Sequence, residues 1–263
     1  MSRDLRQLPP PCPRQVIALA VLCLVFLGGC SGLTARPDEN RSTLDATPKT
    51  SESSVRPGIN DVFVNPELNV DEFVAVFEGE SREVAVHRED IVARLGLRSG
   101  DAVADIGAGT GLFMEPLAQA VGPTGSVLAV DISKRFVEHL QARASQSNLL
   151  QVQAVLCTED AVRLPAESLD VAFVCDTYHH FEFPQATLES IRKALKPGGQ
   201  LVLVDFKRIP GVSREWILNH VRLGQEEVIA EVLSAGFQLN EVLFVNGLEE
   251  NYMVSFDRPK LSH

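Results

Sequence analysis

The chain has 263 residues and a formal net charge of −11, with 35 acidic residues against 24 basic ones. Its hydrophobic content of 45% is enough to build a packed core, which excludes wholesale disorder. The acidic balance argues against a nucleic-acid partner, because such a surface cannot neutralise phosphates over a wide face. Five cysteines without a C-x-x-C pair are too few for a disulfide scaffold, and no metal site is predicted.

Residues 1–29 are predicted to be an export signal. Three arginines precede an uncharged apolar run at 16–27, which as a helix would span about 18 Å of the roughly 30 Å hydrocarbon layer. The run ends in Leu-Gly-Gly-Cys and so resembles the lipobox of bacterial lipoproteins. The resemblance implies cleavage before Cys30, lipid on its sulfur, and a membrane-anchored protein facing the periplasm or the cell exterior. An ordinary signal peptide or an uncleaved anchor is the alternative; an unprocessed leader would leave the protein in the cytoplasm.

Two segments separate the signal from the domain. Residues 30–58 are rich in Ser, Thr, Pro and charge without apolar periodicity, and we predict a flexible tether there. The alternative is a surface arm that packs on the domain. Residues 59–82 include a small apolar cluster and are predicted to form an N-terminal cap segment before the domain at 83–263.

Beyond the cap segment, short apolar runs alternate with amphipathic ones. The apolar periodicity and the Gly and Pro positions predict helices at 82–95, 111–121, 133–147, 184–195 and 226–235. Strands are predicted at 102–106, 127–130, 152–156, 169–174, 201–204, 239–245 and 252–256. This alternation indicates an α/β fold, a doubly wound and mostly parallel sheet with helices on both faces. Ligands of such sheets bind beyond the carboxyl ends of the strands.

A glycine-rich turn follows the first predicted strand. Residues 103–111 read Val-Ala-Asp-Ile-Gly-Ala-Gly-Thr-Gly, and the glycines allow a tight turn and a close approach to a ligand. The spacing departs from the dinucleotide fingerprint G-x-G-x-x-G, because Leu112 stands where the third glycine would be, and this disfavours a nicotinamide-linked oxidoreductase. The string resembles the first motif of class I S-adenosylmethionine-dependent methyltransferases. A tight turn without a ligand is the alternative.

The resemblance implies a Rossmann-like sheet of seven strands with an antiparallel last strand, and S-adenosyl-L-methionine as the cofactor. It implies that Asp105 orients the glycine loop and the amino end of the cofactor, that Asp131 accepts both ribose hydroxyls, and that Asp160 takes the adenine amino group. A helix N-terminal acid and a solvated loop acid are the respective alternatives for Asp131 and Asp160. The full set of predicted cofactor-binding residues is Asp105, Gly107, Ala108, Gly109, Gly111, Asp131, Ile132, Asp160, Ala161 and Asp176.

The predicted fourth strand ends at the edge that faces the substrate in this family. Tyr178 and His179 are predicted to position or deprotonate a methyl acceptor, while packing is favoured for His180. The segment after this strand, 175–181, contains neither of the motifs of nucleobase methylation, Asn/Asp-Pro-Pro-Tyr/Phe or Pro-Cys. The predicted function is therefore in-line methyl transfer to a small-molecule acceptor that is not a nucleic acid. The alternative is a catalytically silent, membrane-tethered binding module that uses the same nucleoside cleft.

Overall fold

A computed structural model describes residues 50–79 and 82–260 of the chain. The predicted signal peptide, Cys30 and most of the predicted tether lie outside the described residues. Among the residues that are described, there is no helix with the length and apolar character needed to cross a membrane.

The core of the described chain is one mixed sheet of seven strands. The strands are β1 (Ala102–Ile106), β2 (Ser126–Asp131), β3 (Val152–Leu156), β4 (Leu169–Cys175), β5 (Leu195–Phe206), β6 (Gln238–Leu243) and β7 (Asn251–Asp257). Their order is β3-β2-β1-β4-β5-β7-β6; β1 to β5 pair in parallel, and β7 is antiparallel to both of its neighbours. The predicted Rossmann-like fold is confirmed.

Helices cover both faces of the sheet. They are α1 (Asp61–Val64), α2 (Val70–Phe77), α3 (Glu83–Val86), α4 (Arg88–Arg94), α5 (Met114–Val121), α6 (Lys134–Gln146), α7 (Pro184–Ala194), α8 (Glu215–His220) and α9 (Gln225–Ser234). On one face, α4, α5 and α6 bury apolar side chains such as Ile91, Leu117 and Leu140. On the other face, α7 and α9 bury Leu188 and Val232. The strands are therefore apolar on both sides, as their continuous hydrophobic runs predict.

The strand order reverses between β1 and β4, the two central strands. The chain winds outwards from β1 through β2 to β3 and then crosses to β4 and β5 on the other side. This reversal opens a crevice at the carboxyl ends of β1 and β4, where open α/β sheets bind ligands.

Two predicted helices have different bounds in the structure. The helix predicted at 82–95 is divided into α3 and α4, because the backbone of His87 leaves the helical region at φ −101° and ψ 19°. The helix predicted from residue 111 begins only at Met114, because Gly111 has φ +90° and still belongs to the turn. Neither interruption can be seen in the apolar periodicity.

The last residues of the predicted tether lie against the domain. The side chain of Glu52 accepts hydrogen bonds from the backbone N–H groups of Gln185 and Ala186 in the first turn of α7, at 3.2 and 2.8 Å. The backbone N–H of Val55 donates to the carbonyl of Glu182 at 2.9 Å. Residues 52–58 therefore form a packed arm, the alternative that the sequence left open, and a flexible tether stays a prediction for residues 30–49.

The cap segment packs over the crevice through phenylalanines. Phe63 of α1 and Phe73 and Phe77 of α2 meet Phe136 of α6 with ring centroids 5.6–6.3 Å apart. Glu78, which follows α2, pairs with Arg143 at 2.6 Å, and this arginine also donates to the carbonyl of Thr110 in the glycine turn. The cap is thus attached to the elements that form the turn.

Candidate active site

A cavity of about 580 Å³ lies at the carboxyl ends of the central strands, beneath the cap segment. This volume is within the range of small-molecule sites. Of the predicted site residues, the cavity is lined by Asp105, Gly107, Ala108, Gly109, Asp131, Ile132, Asp176 and His179. Residues from β1, β2, β4 and the cap therefore meet in one place, as expected for a ligand at the switch point.

The glycine turn needs glycine at two positions for steric reasons. Gly107 has φ +76°, and a Cβ there would lie 2.3 Å from Cγ2 of Thr177. Gly111 has φ +90°, and a Cβ there would lie 2.6 Å from the sulfur of Met114. The second position supports the packing of α5 rather than the cavity, which Gly111 does not line.

Two buried carboxyl groups lie below this turn. The oxygens of Asp131 accept the backbone N–H groups of Gly109 and Ser133, both at 2.8 Å, which ties the end of β2 to the turn. Asp105 is 2% exposed, and its Oδ2 has no hydrogen-bond partner. Burial, and secondarily the charge of Asp131, raise the pKa of Asp105 to about 7. Burial raises the pKa of Asp131 to about 6, although the backbone hydrogen bonds act in the opposite direction.

Asp176 is held in a network at the end of β4. Its carboxylate pairs with Arg82 and accepts a hydrogen bond from the side-chain amide of Asn251. Burial raises its pKa to about 6, and the Arg82 guanidinium limits that rise. The guanidinium of Arg82 thus forms an ion pair with Asp176, and it also lies 5.4 Å from the centroid of the Phe77 ring. The backbone of Asp176 has φ +48°, a strained conformation of the kind found at functional sites.

The loop after β3 presents different residues from those predicted. Asp160 and Ala161 do not line the cavity; Cys157, Thr158, Glu159 and Val162 do. The reason is a tight turn in which the N–H of Thr158 donates to the carbonyl of Ala161 at 3.0 Å. Asp160 is buried at 8% exposure within that turn. Adenine binding by Asp160 stays a prediction, and Thr158 and Glu159 are the polar residues of this loop that line the cavity.

Tyr178 and His179 are neighbours in a 3-10 turn, but they have different surroundings. Tyr178 is 1% exposed, lies outside the cavity lining, and donates its hydroxyl proton to Glu231 of α9 at 2.6 Å. Burial and the Glu231 charge raise the pKa of Tyr178 well above its ordinary value. The predicted catalytic position of Tyr178 is therefore corrected, because its hydroxyl serves the packing of α9.

His179 lines the cavity and is oriented by Asp205. The imidazole Nδ1 lies 2.7 Å from Oδ1 of Asp205, and the backbone N–H of His179 donates to Oδ2 at 3.1 Å. This contact places the proton on Nδ1 and leaves Nε2 with a free lone pair. Sequence reasoning missed Asp205, although it directly follows the strand predicted at 201–204, at the same carboxyl edge as Asp131.

Two further histidines line the cavity beside His179. His180 and His220 face each other with their Nε2 atoms 3.2 Å apart. Burial, and then the neighbouring imidazoles, lower the pKa of His180 to about 2 and also lower that of His220. These contacts agree with the packing role that the sequence favoured for His180, and they also place it in a cluster of three imidazole rings.

Two cysteine thiols also line the cavity. Cys157 and Cys175 are free, and burial raises the pKa of each above its ordinary value. A protonated thiol is a poor nucleophile. These side chains therefore contribute weakly polar surface rather than nucleophiles.

Part of the chain is similar in sequence to known methyltransferases. Residues 103–199 match the family model of a methyltransferase domain. The chain is 29% identical over 118 residues to the ubiquinone/menaquinone biosynthesis C-methyltransferase UbiE of Burkholderia cenocepacia strain HI2424. That match covers 45% of this chain and 48% of the relative, so the chain spans about half the length of this relative.

Solved structures share the fold at low sequence identity. A crystal structure of an S-adenosylmethionine-dependent methyltransferase from Aquifex aeolicus superposes with a TM-score of 0.65 at 23% identity, over 73% of this chain and 99% of that one. The structure of phosphoethanolamine N-methyltransferase 2 of Haemonchus contortus, in complex with S-adenosyl-L-methionine, superposes with a TM-score of 0.63 at 14% identity. The match covers 78% of this chain and 61% of that one. The structures establish the fold, and residues 103–199 are similar to a methyltransferase domain.

Proposed function

We propose that the chain transfers a methyl group from S-adenosyl-L-methionine to a small acceptor that is not a nucleic acid. The observation that carries this proposal is the carboxyl group of Asp105, which lines the cavity together with the glycine turn, Asp131 and the histidines, and whose buried Oδ2 has no hydrogen-bond partner. A buried carboxylate without a partner is costly, and a cationic amino group supplies what it lacks.

The residues present fit the cofactor. Asp105 is available for an amino group, and each oxygen of Asp131 keeps a second lone pair for a ribose hydroxyl. The backbone of Gly109 borders the cavity without a side chain and lies under the ring of Phe77, whose carbon would be 3.4 Å from a Cβ. When bound, S-adenosyl-L-methionine supplies an electrophilic methyl group on a sulfonium.

The chain itself provides alignment, a proton acceptor and exclusion of water. Asp205 orients His179, and the free Nε2 of His179 is suited to position the acceptor or accept its proton. Phe206 packs on His179 with ring centroids 5.8 Å apart, and Trp216 packs on Phe206 at 4.9 Å. Such a shielded site holds the acceptor in line with the reacting carbon, which is the main contribution a protein makes to this reaction.

A small acceptor is favoured by the shape and charge of the chain. The cavity is covered by the phenylalanines of the cap segment, and the net charge of −11 does not suit a polyanion. The likeness to a methyltransferase of quinone biosynthesis also supports a small-molecule acceptor. We further propose that the chain is a lipoprotein anchored through Cys30. Loss of membrane association in a Cys30→Ala variant, measured by cell fractionation, tests the anchor; unchanged fractionation refutes it.

A methyl-transfer assay tests the activity. The purified chain is incubated with S-adenosyl-L-methionine that carries a radiolabelled methyl group and with small hydroxyl, thiol and amine acceptors. We expect label in at least one acceptor, and we expect His179→Gln to lower kcat by about 10²- to 10⁴-fold, the contribution of general base catalysis. His87→Gln is the matched control, because His87 lies outside the cavity lining. Cofactor binding without transfer to any acceptor would favour the silent binding module instead.

A further inference from the structure

Three histidines from two separate elements converge at the acceptor side of the cavity. His179 and His180 belong to the turn after β4, and His220 is the last residue of α8. One ring nitrogen of each lies within 4.8 Å of those of the other two. Their ring centroids are 4.5–5.1 Å apart. Half of the six histidines in the sequence are therefore gathered in one place.

The spacing of these nitrogens matches that of ligands on one metal ion. Zinc–imidazole bonds of about 2.0–2.1 Å at tetrahedral angles place two ligand nitrogens about 3.4 Å apart. Nε2 of His180 and Nε2 of His220 are 3.2 Å apart. A simple N–H···N hydrogen bond also has this length, but it gives no role to the third imidazole. A ring nitrogen of His179 lies within 4.8 Å of the other two, so an inward movement of this ring would complete a three-nitrogen site.

The surroundings of His179 are those of a metal ligand. Metal-binding histidines almost always donate their other ring N–H to a carboxylate, a backbone carbonyl or water. For His179 the acceptor is Asp205, whose Oδ1 lies 2.7 Å from the imidazole Nδ1. The same oxygen accepts the backbone N–H of Phe206 at 2.8 Å. The guanidinium of Arg56 donates to the backbone carbonyl of His220 and so does not occupy the ring nitrogens.

Two aromatic rings flank the cluster. Phe63 of the cap segment meets His180 edge-on at 5.3 Å, and Trp216 lies 6.2 Å from His220. An apolar shell around polar ligands limits access of water and strengthens the electrostatic effect of a bound ion.

We propose that His179, His180 and His220 form a binding site for a divalent transition-metal ion, with Zn²⁺ as the best match. Neutral imidazoles suit zinc, and three protein ligands leave one coordination position open, as in catalytic zinc sites. The open position faces the cavity that we assign to the methyl acceptor. Metal binding stands on the geometry alone, whereas the role of the metal in the reaction rests on the proposed function.

That role is activation of the acceptor. A hydroxyl or thiol of the acceptor coordinates the metal through its oxygen or sulfur and releases its proton to water, because a bound metal lowers its pKa. A lone pair of that atom then forms the bond to the methyl carbon, while the carbon–sulfur bond breaks and its electron pair stays on sulfur. His179 acts in this arrangement as a ligand, and Asp205 is a positioning residue.

Titration with Co²⁺ tests the site, since four-coordinate Co²⁺ absorbs strongly in the visible range. The untagged chain is treated with a chelator, desalted and titrated with Co²⁺ alone, and Zn²⁺ is then added as a competitor. We expect one equivalent to bind and to be displaced by Zn²⁺. His180→Gln and His220→Gln should each weaken binding by more than the about 10- to 100-fold that loss of an outer-shell partner costs. His87→Gln is the control, and circular dichroism reports whether each variant is folded.

The outcomes distinguish the site from the proposed function. Absence of the Co²⁺ band in the wild-type chain, or an unchanged band in a folded His180→Gln/His220→Gln double variant, overturns the metal site. Methyl transfer that is unaffected by chelation would refute the role of the metal while leaving the proposed function in place. A chain that binds the metal but transfers no methyl group to any acceptor would refute the proposed function and leave the metal site in place. Asp205→Asn adds a readout of positioning, because weaker Co²⁺ binding with unchanged thermal stability is expected only if Asp205 orients a ligand.

Discussion

Replacing Asp105 by Asn should stabilise the metal-free and ligand-free protein at neutral pH. The unfolded chain ionises this carboxyl at its ordinary pKa of 3.8, whereas burial raises the pKa to about 7 in the folded state. Between these values the folded state holds a proton that the unfolded state has released, so raising the pH through this window favours unfolding. The isosteric amide of Asn does not ionise, so the stability of the variant does not fall with pH through this group.

The size of the effect follows from the two pKa values. A rise of about three pKa units at about 1.4 kcal/mol per unit amounts to about 4 kcal/mol. We expect the stability difference between Asp105→Asn and the wild type to be close to zero at pH 4 and to approach about 4 kcal/mol in favour of the variant above pH 7. This is a large fraction of the stability of an ordinary domain.

Urea unfolding at a series of pH values, followed by circular dichroism, measures this difference. Asp90→Asn is the matched control, since the Asp90 side chain is 72% exposed. The reasoning would be refuted if the difference did not change between pH 4 and pH 8, or if the Asn variant were the less stable one at pH 8. A stabilising effect of removing Asp105 would mark it as a residue kept for binding rather than for folding.

Three other substitutions test the assignment of the neighbouring residues. Gly107→Ala should displace the glycine turn and abolish measurable cofactor binding in calorimetry, because its Cβ would lie 2.3 Å from Thr177 and its φ of +76° costs an L-residue about 1–2 kcal/mol. Tyr178→Phe should lower the free energy of unfolding by about 1–3 kcal/mol through loss of the bond to Glu231, with cofactor affinity unchanged; reduced affinity would contradict its place outside the cavity. His179→Gln should leave the Kd for the cofactor within a factor of about two while it lowers kcat. A tenfold loss of affinity for the cofactor would contradict the assignment of His179 to the methyl acceptor.

The sequence predicts the sheet well because each strand carries its own signal. β1 and β4 are apolar except for one aspartate each, and β3 has the bounds that its pattern predicts. The glycine turn and Asp131 are also local features, since the turn directly follows β1 and Asp131 is the last residue of β2. Their convergence at one edge follows from the parallel topology alone.

The remaining parts of the site depend on tertiary contacts that no local pattern contains. Tyr178 and His179 are adjacent in sequence. Tyr178 points into the core because its hydroxyl donates to Glu231 of α9, a contact that the sequence does not reveal. His220 reaches His180 across 40 positions in sequence. A sequence pattern that places both histidines on loops or helices does not indicate that their rings meet.

The bounds of elements were less predictable than their existence. β5 runs from Leu195 to Phe206, well beyond the strand predicted at 201–204, because pairing with β4 and β7 draws the flanking residues into the sheet. The extension brings Asp205 into the strand and next to His179. Asp205 was therefore missed because the predicted strand ended one residue before it.

Calorimetric titration of the purified chain with S-adenosyl-L-methionine measures whether the cavity holds this cofactor. We expect one binding site and a loss of affinity of about 10- to 100-fold in Asp131→Asn, the cost of a hydrogen bond to a charged group, with no change in Asp90→Asn. If the folded wild-type chain binds no S-adenosyl-L-methionine, or if Asp131→Asn binds it as tightly as the wild type, the cavity does not hold this cofactor in the manner described.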